Sequence, residues 1–300
     1  MKRIWMIGSI AASLFVITVV GLAIFGVHQQ ANTKVQVVAA ENVWGDIIRQ
    51  IGGDKVTVTS IISNPNDDPH LYESNARDAL ALSKANIVVS NGLGYDDFMT
   101  KLLRANPNSS RTVLTVADSL QVRGPTANPH LWYDLPRIPA VAQVFEQALA
   151  RADPADAALF THNLQQFDTA LQPSLTTLGQ IKTQFAGSPV AYTERVPGYV
   201  LADAGLSVQT PPGFARSIEE GNEPSASDQS NMQALIVHKR IRALLYNAQA
   251  TSPATEHIRT LAAQTGIPVV PVTETLPRQY HSFQEWQQAQ LDELLHALQQ

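Results

Sequence analysis

The chain has no cysteine among its 300 residues. That excludes disulfides, thiolate metal sites, cysteine nucleophiles and lipid attachment through an N-terminal cysteine. Charge is also scarce, at 16% of residues against 44% hydrophobic ones, a globular composition that leaves no room for long disordered tracts. Aromatic residues make up only 7%, too few for the broad aromatic pocket that a haem or a large chelate needs. No Arg/Lys stripe is present. Setting Lys2 and Arg3 aside from the 21 basic residues leaves 19 against 26 acidic ones, a net charge of −7. A surface of that sign repels nucleic acid and anionic lipid headgroups and favours cations as partners. A nucleophile-elbow serine is missing, and Gly92-Leu93-Gly94 lacks the third glycine and the lysine of nucleotide-binding loops.

Long apolar runs are absent with one exception. Lys2-Arg3 precedes an uncharged, mainly apolar stretch over 4–27, the pattern of an export signal. The stretch exceeds the roughly 7–15 residue core of a cleaved signal and approaches the roughly 20 residues that span a bilayer. No clean A-x-A site follows it. The expectation is therefore a signal peptide or N-terminal membrane anchor plus linker over 1–33, retained rather than cleaved, with the chain from about residue 31 outside the cytoplasm.

Short β-branched runs at 35–39, 56–62, 87–90 and 112–116 predict strands, and stretches at 44–51, 76–84 and 95–104 have helical spacing. This βαβα order implies a mostly parallel sheet covered by helices. From 136 to about 184 the strand signals vanish, and Asp153-Pro154 is the one break, a cap followed by proline in the first helical turn. Alternation resumes with strands at 189–193, 242–246 and 268–272 and helices at 228–239, 253–264 and 283–297; 211–227 predicts a surface loop. The expected fold is α/β, with an N-terminal lobe over 34–135, connecting helices over 136–186 and a C-terminal lobe over 187–300.

Open parallel sheets bind ligands beyond the carboxyl ends of their strands. Four candidates stand out: His70 in Asp68-Pro69-His70 shortly after the strand 56–62, His130 in Asn128-Pro129-His130 between the last strand of the first lobe and the connecting helices, Glu194 after the strand 189–193, and Glu274 two residues beyond the strand 268–272. A proline before each histidine holds the preceding residue extended and blocks an early helix. Two imidazoles and two carboxylates suit a first-row divalent metal. Each residue also has a plainer reading. A Pro-His pair commonly forms an exposed turn, Glu194 beside Arg195 can form a surface ion pair worth about 0–1 kcal/mol, and Glu274 can cap the following turn. Of the other histidines, His281 alone lies close enough to Glu274 in sequence to reach such a crevice. His28 sits at the membrane edge, and His162, His238, His257 and His296 belong to helices or their ends.

In order along the chain, Asp68-Pro69-His70 with Tyr72-Glu73, Asn91-Gly92-Leu93-Gly94, and Pro129-His130 with Trp132 and Asp134 resemble the metal-specific solute-binding proteins of ABC transporters, the zinc and manganese type called cluster A-I. The similarity runs over about 35–299. The resemblance implies two α/β lobes joined by one long rigid helix, one Mn2+ or Zn2+ held per chain in the cleft as transported ligand, and delivery to an ABC permease in the cytoplasmic membrane. It implies a monomeric binding protein rather than an enzyme. His70 and His130 match the two first-lobe ligands, Glu194 falls where the family has His or Glu, and Glu274 where it commonly has Asp. The His-rich loop of many zinc-type members is missing, since 122–127 has no histidine, and hard oxygen donors lean toward manganese. The competing readings are a zinc hydrolase using the same ligands and a chelated-metal or haem carrier of related architecture. The former would need an open coordination position.

Overall fold

The computed structural model describes residues 34–64 and 72–300. The expected export segment at 1–33 lies outside them. Among the described residues, no helix is long and apolar enough to cross a membrane.

Eight described strands form two four-stranded sheets. The first contains β1 (Val35–Glu41), β2 (Val56–Ile62), β3 (Ile87–Ser90) and β4 (Thr112–Thr115) in the order β2-β1-β3-β4. The second contains β5 (Pro189–Tyr192), β6 (Ser207–Val208), β7 (Leu244–Asn247) and β8 (Val269–Val272) in the order β6-β5-β7-β8. Every pairing is parallel, and β3 and β7 are buried along their whole length, as strands covered on both faces must be. In each sheet the strand order reverses between the first strand and the third. That is the topological switch point where a crevice opens beyond the strand ends.

Ile138–Ala152 and the 29-residue helix Ala157–Phe185 connect the sheets. The second helix is about 43 Å long at 1.5 Å per residue. It begins after a 3-10 turn at Pro154–Asp156, where the sequence broke. It packs against Asn42–Gly52 at one end of the chain and Phe283–Gln299 at the other, so one apolar core, including Trp44, Trp132, Phe167, Phe283 and Trp286, runs through both halves.

Two expectations are corrected. The segment 211–227 is not a loop throughout, because Pro212–Glu219 is a helix. Pro212 tolerates the first helical turn, and Phe214, Ala215 and Ile218 fall on one face and are buried. The two-residue β6 was not predicted, since two residues carry no readable periodicity.

Candidate metal centre

The second sheet supplies carboxylates. Glu194 lies two residues beyond β5 and Glu274 two beyond β8, and both are 2% exposed. The register Ala191↔Leu244 carries on to set Glu194 opposite Asn247, the last residue of β7. The Asn247 amide donates to Glu194 Oε2 and to Glu274 Oε1, each at 2.7 Å, and so binds the two acidic side chains together. Asn247 is itself fixed, since its backbone N–H donates to Thr193 Oγ1 and its Oδ1 accepts from Gln249 N–H. Gln249 Oε1 in turn accepts from the backbone of Glu274 and Thr275. Burying two carboxylates this close would be prohibitive without donors aimed at them.

The first half supplies an imidazole. His130 is fully buried, at the tip predicted for it after Pro129. Its Nδ1 lies 2.7 Å from Asn128 Oδ1, which directs Nε2 to the opposite side, 3.4 Å from Glu274 Oε2. That carboxylate oxygen also accepts from the Tyr95 hydroxyl at 2.9 Å. The Tyr95 and Trp132 rings stand edge-on to the imidazole, with centroids 5.6 and 5.5 Å away, a packing that fixes its plane. Asn128 ties this loop to the second half, because its amide donates to the Arg195 carbonyl and its own carbonyl accepts from Tyr199. A Cβ at Gly198 would meet the Asn128 amide at 2.6 Å and push it off the Arg195 carbonyl.

Tyr95 is presented by the turn after β3. Gly92, Leu93 and Gly94 all have positive φ, and a Cβ on Gly92 would meet Thr115 at 2.7 Å. The backbone N–H groups of Asn91 and Gly92 donate to the Asp96 carboxylate at 2.6 and 2.9 Å. The glycine-rich motif is thus an internal carboxylate-binding turn. Burial pushes the Asp96 carboxyl up to about 6 despite those donors.

The structure brings three of the four sequence-predicted ligands, His130, Glu194 and Glu274, to one buried crevice. The fourth, His70, lies outside the described residues. Among the described residues, no three His, Asp or Glu side chains converge closely enough to hold a metal as they stand; the amide of Asn247 occupies the space between the two carboxylates. His281 is exposed, with its backbone N–H donating to Glu285, and does not join the crevice. The plainer alternative for Glu194, a surface pair with Arg195, does not form. Glu194 turns inward, and Arg195 Nε donates to Glu219 Oε2 at 2.7 Å.

Sequence reasoning missed Asn247, Tyr95, Asn128, Glu219 and Glu41. Asn247 directly follows the strand predicted at 242–246 and was already within reach of the strand-end rule. Glu219, 3.9 Å from His130 Nδ1, was hidden in the segment predicted as a loop. A cavity of about 300 Å3 opens beside this pair, lined among others by Tyr95, Pro129, Arg195 and Glu219.

The chain is similar to the manganese-binding lipoprotein MntA of Bacillus subtilis, with 28% identity over 173 residues, 55% of this chain and 56% of that protein. It is also similar to a metal ABC transporter substrate-binding lipoprotein of Lactococcus lactis, with 29% identity over 164 residues, 51% of this chain and 52% of that protein. The chain thus spans about half the length of the curated relatives it matches. Among solved structures, a periplasmic zinc-binding protein from Treponema pallidum shares the fold at a TM-score of 0.75 and 19% identity, covering 88% of this chain and 99% of that one. The fold is likewise that of FpvC from Pseudomonas aeruginosa in complex with Ni2+, with a TM-score of 0.73 and 21% identity over 89% and 97% of the two chains. The profile of one family, described as ZnuA, zinc-uptake complex component A, periplasmic, matches residues 37–297, and the chain belongs to that family.

Proposed function

We propose that this chain is an extracytoplasmic solute-binding protein that captures one divalent transition metal, Mn2+ or Zn2+, and delivers it to an ABC permease. The observation that carries the reading is the buried approach of His130 Nε2 to Glu274 Oε2, with Glu194 joined to the same carboxylate through Asn247. Buried carboxylates beside an imidazole are costly in a protein that has no cation to bind. The proposed ligands are His70, His130, Glu194 and Glu274. The ion would take over the charge that the Asn247 amide and Tyr95 hydroxyl now hold, which requires a short side-chain movement at Asn247.

Family membership supports binding and transport rather than catalysis. Four protein ligands would also leave no open position for an activated water. Two relatives are named for manganese or for a metal ABC transporter, and oxygen-rich coordination favours Mn2+. Zn2+ still binds such donors tightly under the Irving–Williams order. The remaining parts of the reading are a monomer, lobes over 34–135 and 187–300 connected by 136–186, and an anchor or signal within 1–33 that keeps the protein at the outer face of the membrane.

The test is elemental analysis of protein purified without added metal, followed by titration with Mn2+ and Zn2+. One ion per chain is expected, with a rise in melting temperature corresponding to about 4 kcal/mol at a thousandfold excess over Kd. No thermal shift with any divalent metal would sink the reading.

A further inference from the structure

We propose that Glu41 is a further oxygen ligand of the metal centre, contributed by the first sheet. The inference rests on the metal-binding reading above and adds to it a residue that lies outside the His70, His130, Glu194, Glu274 set.

The two sheets have the same strand order, so their switch points can be compared position by position. In the second sheet the crevice between β5 and β7 ends in Glu194 opposite Asn247. In the first, the register Ala39↔Val89 carries on to set Glu41, the last residue of β1, opposite Asn91, the residue after β3. Each switch point therefore ends in a glutamate facing an asparagine across adjacent strands, about 4.8 Å apart. All four residues are buried, Glu41 and Asn91 completely.

The pairs differ in what they do with their hydrogen bonds. Asn247 gives its amide to Glu194. Asn91 gives its amide to the carbonyls of Pro129 and Gly92, so its Oδ1 and both carboxylate oxygens of Glu41 have no hydrogen-bond partner among the described residues. The switch point thus carries three buried acceptor oxygens that no other residue's donor satisfies among the described residues, and Asp96 adds negative charge nearby. Without a cation, burial drives the Glu41 carboxyl to hold a proton, its pKa being pushed well above the ordinary carboxylate range; a bound cation would take that proton's place and satisfy the same oxygens.

Its surroundings belong to the same crevice. Asn42, the next residue, exchanges two hydrogen bonds with the backbone of Leu276, at 2.8 and 3.0 Å, two residues beyond Glu274. Asn91 holds the carbonyl of Pro129, the residue before His130. Glu41 is thus flanked on either side by segments that carry the proposed ligands. A third carboxylate would make the donor set richer in oxygen than two imidazoles and two carboxylates, and so favour Mn2+ over Zn2+.

The experiment is Mn2+ and Zn2+ binding by equilibrium dialysis with elemental analysis, on wild type, Glu41→Gln and Glu41→Asp. Glu41→Gln keeps the shape and removes the charge. The expected result is one ion per wild-type chain, an Mn2+ affinity at least about tenfold weaker in Glu41→Gln, a smaller loss for Zn2+, and a metal-free melting temperature equal to or above wild type. Glu41→Asp, which keeps the charge on a shorter stem, should fall between, and decides the matter if the glutamine variant does not fold. Unchanged Mn2+ affinity in the variants overturns the proposal, as do two ions per wild-type chain of which Glu41→Gln loses only one. A wild type that binds neither metal removes the metal-binding reading itself.

Discussion

The two sheets share one topology and one placement of glutamate and asparagine at the switch point, yet they have solved the problem of burying charge differently. In the second half, the Glu194 and Glu274 carboxylates are clamped by Asn247, and Asn247 by Thr193 and Gln249. In the first half, the donors go to the backbone instead. Asn91 serves Pro129, Asn128 serves Arg195, and Asp96 is served by the turn at Asn91 and Gly92. The second half therefore clamps its acidic groups with one shared amide, whereas the first half spends its amides on fixing the His130 loop and leaves the Glu41 carboxyl unserved. Repetition of a fold does not impose repetition of a site. What each strand end presents is decided by where a single amide points.

The comparison is broken most sharply at His130. Its replacement by alanine is expected to weaken Mn2+ and Zn2+ binding more than about a hundredfold, since even the outer partners of a metal ligand are worth 10–100-fold. Circular dichroism should show the fold intact. Retention of full metal occupancy in that variant would move the centre away from the first half altogether.

The clamp in the second half is tested by Asn247→Ala. Without the shared donor, two buried carboxylates each lose one hydrogen bond, and the metal-free protein should lose about 2 kcal/mol in urea unfolding. Metal should restore part of that loss, because a cation takes over the role of the amide. Equal stability of variant and wild type would mean that water serves the two carboxylates just as well.

The smallest expected effect concerns the turn in the first half. The Asp96 carboxyl titrates at about 6 in the folded protein against about 3.9 in an unfolded chain. The folded state therefore keeps its proton through a window in which the unfolded state has released it. Stability from this group is fully present below about pH 4 and is lost as pH rises through about 6. Urea midpoints of metal-free protein should thus fall less steeply over that range in Asp96→Asn than in wild type. Parallel slopes would show that the turn compensates the carboxylate fully.

Much of this was legible in the sequence, and the exceptions have physical causes. The strands predicted at 56–62 and 87–90 and the helix at 76–84 have the bounds observed, because β-branched runs and 3.6-residue spacing are local signals. Asn75 closes a capping box with Asp78 at the start of that helix, which makes its first residue unambiguous. Glu194 and Glu274 were visible because polar residues placed just beyond strand ends stand out in a linear reading, and His130 because the proline before it marks a loop tip. The helix Pro212–Glu219 was hidden because its proline and glycine content resembled a loop, while Phe214 and Ile218 show as anchors only once they are seen packed in an apolar cluster with Met232, Ile236 and Leu244. Asn247 and Glu41 were overlooked for a different reason. Both fall just beyond the strands predicted at 35–39 and 242–246, but whether a side chain there meets a partner depends on the neighbouring strand's register, which no local pattern records.

The helix Ala157–Phe185 lies against Asn42–Gly52 and Phe283–Gln299 at once, like a splint bound to two bones. Because it is fastened to both halves along its sides, the proposed metal loading is expected to leave the outline almost unchanged, which scattering profiles of the two forms would check. A receptor that touched the filled and the emptied protein would meet almost the same silhouette. It would have to tell cargo from no cargo by chemistry at the rim: which acidic groups have been neutralised, and whether Arg195 still leans on Glu219.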